Sequence, residues 1–323
     1  MCISANRFFP LLVSILFLLP SEYVTPVFAC TLFAAAGSAV EGGGTLLAKN
    51  RDWEPTQQQR LMVFAPEGGF RSVALDAVGA SDSGVKAGVN EKGLAIVSAT
   101  AGQVPRSEKA KFKQAGNLNR RILSSCATVE DVMSKLELFR RPAFYMIADR
   151  CEIALIEVSP DGRPAVIRRR NGMVAHTNHY VALEPPTGTR APGVSSSHRY
   201  QRIRELLSNA TRPFTLEDFV GFSADRTEGP DNSIWRTGRA EGRTRTLATW
   251  IVAVPPAGTP RLYVKTADPG QSELTCRISV EEASGLRDNE QISLTEGLCS
   301  SAALFKAVDR TSGSRRDVLQ ISN

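Results

Sequence analysis

"CTLFAAAGSAVEGGGTLLAKNRDW", residues 30–53, is the stretch from which the fold can be read. Two apolar runs, 30–40 and 45–53, flank the glycine-rich "EGGG" at 41–44. Glycine supplies the positive φ angles that a tight reversal needs, so the stretch reads as a β-hairpin. It opens on Cys30, directly behind the small residue Ala29. The cysteine could be an ordinary core residue, a lipid-attachment point or the first residue of a processed chain.

Downstream the β pattern continues. "LMVFAP" (61–66) and "RSVALDAV" (71–78) read as strands, and "KAGVNEKGLAIVSAT" (86–100) as strand, turn, strand. The middle turns helical: 116–126 and 128–139 carry helical spacing, with Thr128 and Asp131 placed as a capping box. Residues 143–159 read as a hairpin turning near Asp149 and Arg150, and 165–180 as another strand pair. "SSSHRYQRIRELLSNA" (195–210) reads as a capped helix, 215–223 as a second, and 246–255 with 261–267 as a closing strand pair. Strand neighbours joined by hairpin-type connections imply antiparallel sheets covered by helices, not βαβ units. The Arg- and Gly-rich segment 225–245 reads as a long loop flanking the substrate pocket. The tail beyond about residue 284 has no readable pattern.

Upstream, Arg7, the apolar run 8–20 and the small-x-small "VFA" (27–29) read as a secretory signal cleaved after Ala29. The apolar run is shorter than the ~20 residues a comfortable span needs. The expectation is one exported domain over 30–323, secreted or periplasmic. A hydrophobic content of 42% and a charged content of 22% are ordinary for a globular chain. The net charge of +6 comes with no long basic block and no nucleic-acid motif, so nucleic acid is excluded as a partner. With Cys30 set apart and Cys2 in the leader, Cys126, Cys151, Cys276 and Cys299 allow two disulfides in three pairings, or buried free thiols. Closeness in sequence favours Cys126 with Cys151 and Cys276 with Cys299.

A thiol becomes a good nucleophile only when ionised, and free cysteine has a pKa near ~8.5. Catalytic cysteines usually use a histidine base, and this chain has only His176, His179 and His198. An N-terminal cysteine needs none of them. Its own α-amine has a pKa of roughly 7.7–8.0 and lies within reach of the thiol. One residue then supplies both nucleophile and general base.

"CTLFAAAG…GGGTLLAKNRDW", "NEKGLAIVSAT", "HTNHY" and "SSSHRYQRI" together resemble the N-terminal nucleophile hydrolases of the choloylglycine hydrolase and penicillin acylase type. The related acyl-CoA:6-aminopenicillanate acyltransferases are also similar. The resemblance runs from Cys30 to about residue 265 and implies an αββα sandwich of two face-to-face antiparallel sheets with helices outside. It implies a thioester acyl-enzyme on Cys30 and cleavage of a linear amide C–N bond in a small N-acyl substrate, with no cofactor and no metal. Asp52 matches the aspartate that would hold the amine and thiol of Cys30. Asn178 matches the asparagine whose amide points at the oxyanion, and Arg199 an arginine near the nucleophile that can pair with Asp52. Two positions depart from the pattern. Lys49 stands where bile-salt hydrolases carry Arg, which keeps charge but loses the bidentate fork. Thr100 stands where they carry a second asparagine, which puts bile-salt recognition in question and amide cleavage less so. Water or an amine can resolve the acyl-enzyme, and homo-oligomers are compatible with the family.

Two rival readings have other chemistry. A lipoprotein would carry acyl chains on Cys30 and a blocked amine, but Phe28 and Val27 fit the required box poorly. A zinc hydrolase would use His176, His179 and His198, but an i, i+3 pair on a strand points to opposite faces.

Overall fold

The 30–53 stretch forms the expected hairpin. Strands β1 (Cys30–Ala36) and β2 (Thr45–Trp53) pair antiparallel, from Cys30 opposite Arg51 to Ala36 opposite Thr45. Gly44 has φ +77°, and a Cβ there would collide with the carbonyl of Val254, so the turn requires glycine on two counts. The computed structural model describes residues 29–79, 83–112, 116–184, 187, 189–295 and 298–301. The leader reading for residues 1–28 lies outside them. Among the described residues no helix is long and apolar enough to cross a membrane.

The hairpin sits inside a six-stranded sheet of order β10 (Gly172–His176), β1, β2, β11 (Arg245–Val254), β12 (Arg261–Thr266), β13 (Leu274–Ser279). The second sheet has nine strands, in the order β15 (Leu298–Ser301), β14 (Gln291–Thr295), β3 (Gln58–Phe64), β4 (Ser72–Val78), β5 (Gly84–Asn90), β6 (Ala95–Thr100), β7 (Ala143–Ala148), β8 (Ile153–Val158), β9 (Pro164–Arg169). Every strand pair in both sheets is antiparallel.

Period-two alternation assigns the two faces of each strand to two different cores. Leu32, Ala34, Leu47, Trp250 and Val252 face the second sheet and meet Val73, Val89, Val97 and Met146 there. Their neighbours Phe33, Ala35, Ala48 and Ile251 face outward, against helices α4 (Val194–Asn209) and α5 (Leu216–Ser223) through Ile203, Leu207 and Phe219. On the far side, helices α2 (Leu118–Ser125) and α3 (Val129–Met133) pack Ile122, Leu123 and Val132 onto Ile96, Ile147 and Ala154. The layers are therefore helix, sheet, sheet, helix. Both faces of the central strands are covered, which is why β1 and β2 are buried at every residue, the polar Lys49, Asn50, Arg51 and Asp52 included. Trp250 is fully buried between the sheets, and its truncation to alanine costs about 3–5 kcal/mol.

The capping box on α3 is present, with Thr128 and Asp131 bonding reciprocally, and Thr215 with Asp218 forms another on α5. The serines of 195–197 do not cap α4: the helix starts at Val194, and Gly193 at its N-cap offers no side chain. Helix α1 (Arg106–Ala110), β13, and the tail strands β14 and β15 were not anticipated. Segment 225–245 is mostly irregular, with one turn of helix, α6 (Gly229–Asn232). The cysteines correct an expectation. Cys126 is a buried free thiol beneath α2, and Cys151 an exposed one in the β7–β8 turn, so the two do not bond. Closeness in sequence does not bring together a core position and a solvent turn. Cys276 is disulfide-bonded, and the side chain of its expected partner Cys299 lies outside the described residues.

Candidate active site

Cys30 is the first residue of β1, and its main chain is gripped from both sides. Its N–H donates to Asn178 Oδ1 at 2.6 Å, and its carbonyl accepts from Arg199 Nη1, also at 2.6 Å. Arg199 further donates from Nη1 to Thr31 Oγ1 at 2.9 Å and from Nη2 to Asn178 Oδ1 at 3.2 Å. Arg199 lies in α4, close to the helix start, and is fully buried. That burial pushes its pKa down to about 10, against the pull of Asp52; Arg236 also lowers it, while Cys30 raises it.

Asn178 follows β10 and is held at every polar atom. Nδ2 donates to the Thr100 carbonyl at 2.9 Å, the main-chain N–H donates to Ser196 Oγ at 3.0 Å, and the carbonyl accepts from Gly102 N at 2.8 Å. Two donors face Oδ1 and an acceptor faces Nδ2, so the amide has one consistent orientation. The oxygen end of the amide meets the Cys30 nitrogen, and the nitrogen end faces Thr100. Thr100 contributes its carbonyl, and it lines a cavity of about 850 Å³ together with Asn178 and Ser196. Cys30 itself is buried and does not line that cavity.

Ser196, in the first turn of α4, lies 2.9 Å from both Thr177 Oγ1 and His179 Nδ1. Desolvation, with His176 and Arg199 nearby, pushes His179 down to about 4, so its imidazole is neutral near neutral pH. His176 bonds Glu157 Oε1 through Nε2 at 2.8 Å and the Thr177 carbonyl through Nδ1 at 2.9 Å. Glu157 also accepts from the backbone N–H groups of Val181, Ala182 and Leu183. It thus clamps the chain on both sides of Asn178. Desolvation would raise the Glu157 pKa, but these donors outweigh it and hold it low. His198 is exposed near Glu228. The three histidines thus face three different sets of partners, and the shared ligand geometry considered for them is not formed.

Asp52 follows Arg51 on β2 and is fully buried. It makes no hydrogen bond to Cys30, which corrects the expected contact. Oδ1 accepts from Thr246 Oγ1 at 2.8 Å, Oδ2 faces Arg236 Nη1 at 3.8 Å, and Oδ2 has no hydrogen-bond partner. Burial raises its pKa, and Arg236, Arg199, Thr246 and Arg51 oppose the rise. Lys49 is buried on the same strand and donates to the Ser98 carbonyl. Segment 225–245 is absent from the described lining of the cavity; it buries Ile234 and Trp235 and delivers Arg236 to Asp52. Arg236 and Ser196 were missed. One sits among several arginines of a loop, and the other in a serine run that reads as a helix cap.

One solved structure shares this architecture. A variant of the conjugated bile acid hydrolase from Clostridium perfringens superposes with a TM-score of 0.52 at 15% identity, covering 83% of this chain and 97% of that one. A Caenorhabditis elegans orthologue of N-acylethanolamine-hydrolyzing acid amidase gives 0.47 at 15% identity, covering 71% and 94%. The sequence matches no curated protein. Residues 40–270 match the family described as acyl-coenzyme A:6-aminopenicillanic acid acyl-transferase. With most of its length matched and the two-sheet sandwich in place, the chain belongs to the acyl-coenzyme A:6-aminopenicillanic acid acyl-transferase family.

Proposed function

We propose that the protein is an exported N-terminal-cysteine amidohydrolase that cleaves a linear amide C–N bond in a small N-acyl substrate. Removal of residues 1–29 turns the Cys30 nitrogen from an amide into an amine. The amine takes the thiol proton as the sulfur attacks the substrate carbonyl. Asn178 accepts a hydrogen bond from that nitrogen through Oδ1, and its Nδ2 carries a second N–H beside the cavity that can meet the oxyanion. Collapse of the tetrahedral intermediate breaks the C–N bond, and the proton passes from the Cys30 ammonium to the departing amine. A thioester on Cys30 remains. Water, deprotonated by the same amine, releases the acid. Arg199 holds the Cys30 carbonyl, and Asp52 offsets the charge of Arg199 and Arg236.

The observation that carries this reading is the two-sided grip on the Cys30 main chain, by Asn178 at 2.6 Å and Arg199 at 2.6 Å. A cysteine acting only through its side chain needs no such fixing of its nitrogen. The test places two extra residues between the cleavage site and Cys30. The nitrogen then stays an amide while every side chain remains. Activity falls by about 10²–10⁴ if the amine is the base. Full turnover with the extension intact by N-terminal sequencing overturns the proposal. The matched family's description favours a second reading, acyl transfer to an amine. Added amine acceptor then yields a new amide faster than water yields acid.

A further inference from the structure

The side chains of Thr177, Ser196 and His179 crowd against the main chain of Asn178, and the reaction proposed above uses none of them. They are 0%, 2% and 8% exposed. Ser196 Oγ accepts the Asn178 N–H at 3.0 Å. It lies 2.9 Å from Thr177 Oγ1 and 2.9 Å from His179 Nδ1. Thr177 Oγ1 donates to the Ser196 carbonyl at 3.0 Å and lies 3.2 Å from His179 Nδ1. One assignment of protons satisfies every contact. Thr177 gives its proton to the Ser196 carbonyl, so it accepts the one from the Ser196 hydroxyl. The two lone pairs of Ser196 Oγ then accept from the Asn178 N–H and from the Nδ1–H of a neutral His179. A serine beside a histidine suggests a nucleophile with its base, but this hydroxyl has no lone pair left to offer a substrate carbonyl. It acts as a strut instead.

Helix α4 fixes Asn178 at both ends. Ser196 and Arg199 are three residues apart on it and so share a face. Ser196 holds the main chain of Asn178, and Arg199 Nη2 reaches its Oδ1 at 3.2 Å, the same oxygen that lies 2.6 Å from the Cys30 nitrogen. Tyr200, the next residue of the helix, packs its ring edge to face with His179 at 5.3 Å between centroids. We propose that Ser196, its hydroxyl locked by Thr177 and His179, is a positioning residue that sets the approach of Asn178 to the Cys30 nitrogen. Ser196 is part of the cavity lining, whereas Thr177 and His179 are absent from its described lining. Changes at Thr177 therefore separate positioning from substrate contact. The inference rests on the roles proposed above for Asn178 and the Cys30 amine.

The test uses protein purified after expression of the full chain, with phenylacetyl and hexanoyl p-nitroanilides as substrates. Ser196→Ala lowers kcat by roughly 10- to 100-fold, since a misplacement of about 1 Å can cost about 10² in rate. KM changes by less than about twofold. The acid limb of kcat/KM, which reports the free amine, moves to lower pH, because a loosened Oδ1 favours the charged amine less. Neither KM nor the limb depends on the fraction of enzyme folded. Thr177→Val lowers kcat in the same way, and Thr177→Ser restores it. Adding Thr177→Val to Ser196→Ala costs little more, because the two act as a unit. Should Ser196→Ala fail to fold, the Thr177 pair carries the same readouts. An unchanged kcat and limb, a pure KM effect, or additive losses in the double variant each overturn the inference. Full turnover of the extended chain, which overturns the amine as base, leaves the kcat and double-variant readouts in force. If neither anilide is cleaved, the amide reading fails for these substrates, and a crystal structure of the Ser196→Ala protein decides the inference. Asn178 Oδ1 beyond hydrogen-bond distance of the Cys30 nitrogen supports it, and the 2.6 Å contact retained overturns it.

Discussion

Arg199 Nη1 lies 2.6 Å from the carbonyl oxygen of Cys30, a contact between residues 169 positions apart in the chain. One guanidinium also reaches Thr31 Oγ1 and Asn178 Oδ1, so it ties the start of β1 to the loop after β10. A rigid planar fork reaches these three acceptors from two separate nitrogens, a geometry that a compact ammonium does not reproduce. Arg199→Lys therefore keeps the charge and loses part of the network. We expect a loss of about 1.5–3 kcal/mol in stability by denaturant titration, with a parallel fall in kcat. Unchanged stability and turnover would mean that the fork is dispensable.

Asn178→Ala removes the acceptor of the Cys30 nitrogen and the N–H beside the cavity. If Asn178 is the oxyanion donor proposed above, it acts in the transition state, and kcat falls by about 10²–10³ while KM changes little. A pure KM effect by steady-state kinetics assigns Asn178 to substrate binding instead.

Glu157 is fully buried and bonded to His176 and three backbone N–H groups. Glu157→Gln leaves His176 and the 181–183 backbone short of an acceptor, at a cost of about 3–5 kcal/mol. A held-down folded pKa means that this carboxylate stabilises the fold above its unfolded value, and the contribution is lost as pH falls through the folded one. The wild type thus loses stability on acidification below the ordinary glutamate range, and the variant loses less over the same window. Parallel melting curves for the two proteins across that window refute the role.

Asp268 has the opposite sign. Desolvation raises it to about 6, against one backbone hydrogen bond from Gln59, and Oδ1 is buried without a partner. The folded state binds this proton more tightly than the unfolded state does. Its contribution is therefore favourable at low pH and is lost as pH rises from about 4 to about 6. Asp268→Asn stabilises the protein at pH 7 by about 1 kcal/mol, since solvent screens a carboxyl that is partly exposed. A gain that persists unchanged at pH 3 removes the titration as its cause.

The sequence by itself determined antiparallel sheets covered by helices, and the family resemblance implied that two sheets stack face to face. The apolar-rich runs in 30–36 and 45–53, and the glycine turn between them, are local properties, and they fix a buried hairpin. The Thr128–Asp131 capping box and the hairpin turn near Asp149 were legible for the same reason: each involves residues a few positions apart. Cys30 could be picked out because it stands directly behind the small residue Ala29 at the end of the apolar leader. The tertiary structure decided how the site is assembled. Nothing local separates Arg199, fully buried on Cys30, from Arg202 and Arg204 of the same helix, or Arg236 from the other arginines of 225–245. The orientation of Asn178 follows from donors and acceptors supplied by β1, β6 and α4, which only sheet order and register bring together. The free thiols of Cys126 and Cys151 have the same origin, because a core position and a solvent turn are distinguished by packing and not by distance along the chain.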